Sequence, residues 1–232
     1  MLPKNKLFVA LDNMDIAGIN RTLEPIADLV GGIKLGMEFW NRYNVNGVKR
    51  LTKTHNLPLF LDLKLHDIPN TVAHGLKFAL KCHPFMTTIH AAGGANMIRA
   101  AKDTILDSES PETKLLAVTV LTSLTQSDLG AMGFAGSVSD TVLKLADNAI
   151  KSGVDGIVCS PLEIDLIRQN FGKDIMVVTP GIRMQTGGDD QKRTLTPKEA
   201  VEKGASYIVV GRPITEASDI KQVTQDIIRI IS

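Results

Sequence analysis

The chain has 232 residues, 44% of them hydrophobic and 4% aromatic, with 26 Lys and Arg against 25 Asp and Glu for a formal charge of +1. That length suffices for one large domain, and the near-neutral balance supplies no broad basic field for nucleic acid or an anionic membrane surface. Any anion must be held by a local site.

Cys82 and Cys159 lie far apart with no Cys-x-x-Cys or Cys/His metal spacing, so they are expected as core thiols in a reducing compartment. The apolar run Leu7 to Leu11 is cut off by Asp12 before it can serve as a signal peptide, and no apolar run approaches the ~20 residues of a membrane span. The expectation is a soluble cytoplasmic protein with neither a nucleic-acid nor a membrane partner.

In chain order, Lys6 to Asp12 reads as a short strand ending in a carboxylate, followed by an amphipathic helical segment around Ile16 to Val30. Gly31 to Gly36 is a second strand carrying Lys34, and Glu38 to Thr54 has helical spacing. In the third strand, Pro58 to Lys64, a two-residue period sends Leu59, Leu61 and Leu63 one way and Phe60, Asp62 and Lys64 the other. Thr71 to Cys82 is helical again, Met86 to Ala91 is the fourth strand, and a helix from Asn96 to Leu106 follows. Lys114 to Thr122 is the fifth strand; a loop with Gly130, Gly133 and Gly136 leads to a helix from about Asp140 to Ser152. Gly156 to Ser160 and Ile175 to Arg183 are strands six and seven, separated by a helix from Glu163 to Asn170. Thr196 caps a helix that Pro197 opens, running to Lys203. Tyr207 to Arg212 is the eighth strand, and Ile220 to Ile231 closes the chain as an amphipathic helix.

About eight strand–helix units at this length match a single (β/α)8 barrel spanning 1–232. An open doubly wound sheet would show a glycine fingerprint after its first strand, and Ala10-Leu11-Asp12-Asn13-Met14 has none. Asp12, Lys34, Asp62, Lys64, His90, Thr122, Arg183 and Arg212 all fall at or just past strand C-termini, the rim on which barrel chemistry is built. Lys34, Asp62, Lys64 and Asp67, with Asp12 nearby, alternate in sign, so each favours ionisation of the next. Such a fixed field suits a transition state in which a carbanion develops, and Lys64 can donate a proton to it. The Gly181-Ile182-Arg183 and Gly211-Arg212 turns follow strands seven and eight, where barrels commonly bind phosphate. Between them the polar segment Met184 to Arg193 reads as a closing lid. His55, His66, His74 and His83 show no metal spacing and read as surface or helix residues, whereas His90 ends a strand and reads either as a rim residue ordering a neighbour or as a direct participant in catalysis.

Phe60-Leu61-Asp62-Leu63-Lys64-Leu65-His66-Asp67-Ile68-Pro69-Asn70-Thr71 resembles the bacterial-type orotidine 5'-phosphate decarboxylase family. So, in the same order along the chain, do Phe8 to Asp12, Ile33 to Gly36, Leu121-Thr122-Ser123, Thr179 to Arg183, Asp190 to Arg193 and Val210 to Ile214. The resemblance implies loss of CO2 from orotidine 5'-monophosphate to give UMP, the last step of de novo pyrimidine synthesis, with no metal or organic cofactor. It implies that Lys64 protonates C6, that Asp62 sits against the departing carboxylate, that Lys34 holds Asp62 and the ribose, and that Asp12 takes a ribose hydroxyl. Thr122 would meet the pyrimidine edge, and Arg183, Gln191, Gly211 and Arg212 the phosphate. Asp67, with Thr71 beside it, would reach the neighbouring subunit's site in a homodimer. The Asp-x-Lys-x-x-Asp string also resembles the magnesium-dependent sugar-phosphate synthases and decarboxylases of the superfamily. Those place an acidic metal ligand where this chain has Lys34, an ammonium that repels a divalent cation. A non-catalytic phosphoribosyl-binding barrel is the remaining alternative.

Overall fold

Eight short apolar runs, each too brief to bury itself, pair side by side into a sheet that closes on its own first strand. The computed structural model describes residues 2–184 and 193–232. Its strands are β1 (Leu7–Ala10), β2 (Gly32–Gly36), β3 (Leu59–Leu65), β4 (Met86–His90), β5 (Lys114–Val118), β6 (Gly156–Val158), β7 (Met176–Thr179) and β8 (Tyr207–Val210). All pair in parallel in sequence order, and β1 also pairs with β8 to complete the barrel. The helices are α1 (Ile16–Leu23), α2 (Met37–His55), α3 (Pro69–Leu80), α4 (Gly94–Leu106) and α5 (Gln126–Ala131) in the first part. They continue as α6 (Val138–Lys151), α7 (Ile164–Phe171), α8 (Pro197–Glu202), α9 (Arg212–Thr215) and α10 (Ile220–Ile230). Among the described residues no helix is long and apolar enough to cross a membrane.

The two-residue period of β3 divides the core. Leu59, Leu61 and Leu63 join the layer between strands and helices, with Val72 and Leu76 of α3, while Phe60 points into the barrel with Phe8, Met86 and Tyr207. Phe8 meets Tyr207 edge-on at 5.5 Å between ring centroids and stacks on Phe85 at 6.0 Å. These large rings fill the end where the strands begin. The next interior positions are small, Ala10, Val118, Val158 and Val209, and they leave space beneath the opposite mouth. Gly32 lets β1, β2 and β3 close around Phe8: a Cβ there would lie 2.3 Å from the Phe8 ring and 2.5 Å from the Pro58 carbonyl oxygen. The register that results sets Ala10 beside Lys34, Lys34 beside Phe60 and Gly36 beside Asp62.

Several elements differ from the sequence expectation. The fifth strand ends at Val118 rather than Thr122, because the carbonyls of Val120 and Leu121 turn to the Arg193 guanidinium instead of a neighbouring strand. The seventh ends at Thr179 rather than Arg183, since Pro180 has no N–H to continue the ladder. The glycine-containing loop before α6 holds α5, opened by a capping box in which Thr125 and Asp128 each bond the other's backbone N–H. Cys82 and Cys159 are free and buried, as expected, and burial pushes both thiols up, Cys82 to about 11 despite the nearby Lys49.

Candidate active site

The ends of β1, β2 and β3 bring four charges into one line. Lys34 is buried, and its Nζ donates to both oxygens of Asp12, at 2.8 and 3.0 Å. On its other side lies Asp62 Oδ2 at 3.7 Å, and the same oxygen accepts from Lys64 Nζ at 2.7 Å. A lone buried carboxylate would cost several kcal/mol. Here burial pushes the Asp62 carboxyl up, but Lys34 and Lys64, with hydrogen bonds from Lys64 and Thr88, outweigh it and hold the group below the usual carboxylate range. Asp62 is therefore ionised at neutral pH, pressed between two ammonium groups. Lys64 is the more open of the two, its side chain 31% exposed against 10% for Lys34.

These charges line a cavity of about 520 Å³ at the C-terminal mouth of the barrel, a volume typical of small-molecule sites. Thr122, four residues past the end of β5, lines it from the far side. Arg183, beyond β7, and Gly211 and Arg212, at the start of α9, complete the rim. Gln191 lies outside the described residues, as does most of the Met184 to Arg193 segment expected as a lid.

Asp67 and Thr71 do not join this group. Both are exposed, neither lines the cavity, and Asp67 Oδ1 accepts from the Ile68 N–H at 2.6 Å, just before α3 begins. His90 also stays outside the cavity lining: its ring stacks on His66 with centroids 5.3 Å apart. Burial first, then the neighbouring His66 and Lys64, pull the His90 imidazole below its ordinary value. Its Nδ1 is buried with no hydrogen-bond partner among the described residues.

Three residues that support the site escaped the reading by strand ends. Thr88, wholly buried in β4, donates its hydroxyl to Asp62 Oδ1 at 2.9 Å. Glu163 is buried, accepts from the Ser160 N–H at 3.0 Å and pairs with Arg193. Arg193 in turn donates to the Leu121 carbonyl at 3.0 Å and the Val120 carbonyl at 3.5 Å, directly behind Thr122. The Ser160-Pro161-Leu162-Glu163 spacing is a capping-box signal visible in the sequence. The third partner of that box, Arg193, has no local signature.

Fold and site together define a (β/α)8 barrel whose catalytic-type mouth is built around one carboxylate held by two lysines, with arginines on the rim after the last two strands. The family model described as Orotidine 5'-phosphate decarboxylase / HUMPS family matches residues 5–227, and the chain belongs to this family. It is 46% identical over 220 residues to orotidine 5'-phosphate decarboxylase of Paramagnetospirillum magneticum, covering 93% of each chain. It is 45% identical over 215 residues to the enzyme of that name from Wolbachia of Culex pipiens, again covering 93% of each. Among solved structures, orotidine 5'-phosphate decarboxylase from Lactobacillus acidophilus superposes with a TM-score of 0.85 at 40% identity, over 97% of this chain and 98% of that one.

Proposed function

We propose that this protein removes CO2 from orotidine 5'-monophosphate to give UMP, the closing step of de novo pyrimidine synthesis, in a cytoplasmic setting and without metal or organic cofactor. The observation that carries the reading is Asp62 Oδ2 lying 2.7 Å from Lys64 Nζ and 3.7 Å from Lys34 Nζ at the cavity wall. A substrate carboxylate brought against Asp62 meets a like charge, and loss of CO2 removes that repulsion. The Lys64 ammonium then faces the carbanion, stabilising it electrostatically and supplying the proton to C6. The C6–CO2 bond breaks, its electron pair stays on C6, and the carbanion takes a proton from the Lys64 ammonium, which is left as the neutral amine.

In this reading Lys34 orders Asp62 and, with Asp12, meets the ribose hydroxyls. Thr122 takes the pyrimidine edge; Arg183, Gln191, Gly211 and Arg212 take the phosphate. A homodimer in which Asp67 and Thr71 complete the neighbouring site belongs to the same proposal. Its support is that both residues are exposed and sit beside apolar surface, Ile68 at 67% and Phe78 at 57% exposure. The magnesium-dependent chemistry of the superfamily has less support, because Lys34 already bridges Asp12 and Asp62 and a divalent ion there would meet an ammonium. The test is CO2 release from carboxyl-labelled orotidine 5'-monophosphate in excess EDTA. Release at an enzymatic rate that Lys64→Ala abolishes is the expected result. No release in EDTA, with turnover of a sugar phosphate on adding magnesium, would overturn it.

A further inference from the structure

We infer that Thr88 is a positioning residue for this decarboxylation, its single hydroxyl setting both the carboxylate of Asp62 and the backbone from which Lys64 projects. The inference rests on the decarboxylase reading of the site. The β3–β4 ladder is broken beside Asp62. Leu61 pairs with Thr87 and Leu65 with Ile89, so four steps along β3 are matched by two along β4. Thr88 alone stands opposite Asp62, Leu63 and Lys64.

Within this bulge Lys64 takes φ +48°, a left-handed conformation that a side chain with a Cβ rarely adopts. Strained backbone of this kind persists only where the surroundings hold it. The Lys64 N–H donates to Thr88 Oγ1 at 2.9 Å, and the same hydroxyl donates to Asp62 Oδ1 at 2.9 Å. Next to it, the Thr87 hydroxyl donates to the Leu61 carbonyl at 2.9 Å, where the register breaks.

The Thr88 bond has a directional consequence. Because Oδ1 is engaged by Thr88, Oδ2 is the oxygen turned to both Lys34 and Lys64. Because the Lys64 N–H is engaged too, the ammonium starts from a fixed root. Thr88 is 0% exposed, so no bulk water stands ready to replace its hydroxyl. Thr88 is not among the residues lining the cavity, so its hydroxyl acts through the two groups it orders.

The test compares Thr88→Val, which keeps shape and removes the hydroxyl, with Thr88→Ser, which keeps the hydroxyl. Thr88→Ala serves as a second hydroxyl-free variant should the valine chain fold poorly. Each is measured for kcat and KM on orotidine 5'-monophosphate, for UMP affinity and for thermal midpoint. The expected result is a fall in kcat of roughly 10- to 100-fold in Thr88→Val and Thr88→Ala, as for a reacting group misplaced by about an ångström. KM and UMP affinity should stay within about threefold, and Thr88→Ser should recover most of the loss. A wild-type protein active on this substrate alongside an equally active Thr88→Val would refute the inference and leave the decarboxylase reading intact. A loss that serine fails to recover would assign Thr88 to packing and equally refute it. A wild-type protein silent on this substrate would remove the decarboxylase reading and the inference with it.

Discussion

Replacing Arg193 by Met should destabilise the barrel in a pH-dependent way, since the change strands a buried carboxylate. The Glu163 side chain is 6% exposed; its partners are the Arg193 guanidinium and, on Oε2, the Ser160 N–H at 3.0 Å. Breaking one side of a buried pair typically costs about 3–5 kcal/mol, and the Leu121 and Val120 carbonyls lose a donor as well. For a chain of this size that corresponds to a fall in Tm of roughly 6–20 °C. In the native protein burial pushes the Glu163 carboxyl up, and Arg193 with the Ser160 N–H offsets only part of it. Removing Arg193 raises it further. A carboxyl whose folded-state pKa lies above its unfolded value binds a proton more tightly in the folded state, so stability rises as pH falls through the folded value. The loss in Arg193→Met should therefore be largest at pH 8 and shrink toward pH 5, by at most about 1.4 kcal/mol per pH unit. Equilibrium urea unfolding of both proteins across that range measures it. A difference below about 1 kcal/mol at pH 8, or one constant with pH, would refute the assignment of a stranded Glu163. Adding Glu163→Gln to Arg193→Met should return most of the loss at pH 8.

Lys64→Ala should abolish turnover while UMP binding stays within about tenfold, read by single-turnover kinetics and calorimetry; near-normal turnover would remove the proton donor from the mechanism. Arg212→Ala should weaken UMP about 10- to 100-fold and leave uridine unchanged, and an equal effect on both ligands would take the phosphate away from the α9 turn. Gly32→Ala should lower stability by about 1–3 kcal/mol in urea unfolding, because its Cβ would sit 2.3 Å from the Phe8 ring; an unchanged midpoint would refute the close approach.

The alternation of apolar runs with helical spacing made the barrel legible, and a barrel converts strand ends into neighbours. That is why Asp12, Lys34, Asp62 and Lys64 were readable as one group from positions spread over fifty residues: each is the first polar residue after an apolar run or the polar face of one. What stayed hidden has a common cause. The period-two pattern of β3 continues unbroken through Lys64 and gives no sign that four of its steps face two of β4. A threonine inside an apolar strand reads as an ordinary β-branched core residue, so the cross-strand bond from Thr88 to Asp62 left no trace. The end of β5 was overrun for a similar reason: Val120 and Leu121 continue the apolar run, and only Arg193, over seventy residues away, decides where their carbonyls turn.

The proposed chemistry places a demand on the rim that the charges near β3 cannot meet alone. Asp12, Lys34, Asp62 and Lys64 are two anions and two cations already paired among themselves, so they offer a substrate carboxylate no net attraction, and Asp62 repels it. The free energy that seats the reacting end must come from elsewhere in the ligand, and Arg183 and Arg212 border the same cavity on the side of β7 and β8. Binding energy taken at the phosphate is then spent in bringing like charges together, and it is recovered in the transition state as CO2 departs. On this account a substrate without its phosphate loses turnover as well as affinity, although the phosphate touches no atom that reacts. The division also explains the construction of the mouth. Asp62 and the Lys64 backbone are held from behind by Thr88 of β4, while the arginines to which the proposal gives the phosphate sit on turns beyond β7 and β8, so the two ends of the ligand would be gripped by separate elements of the barrel.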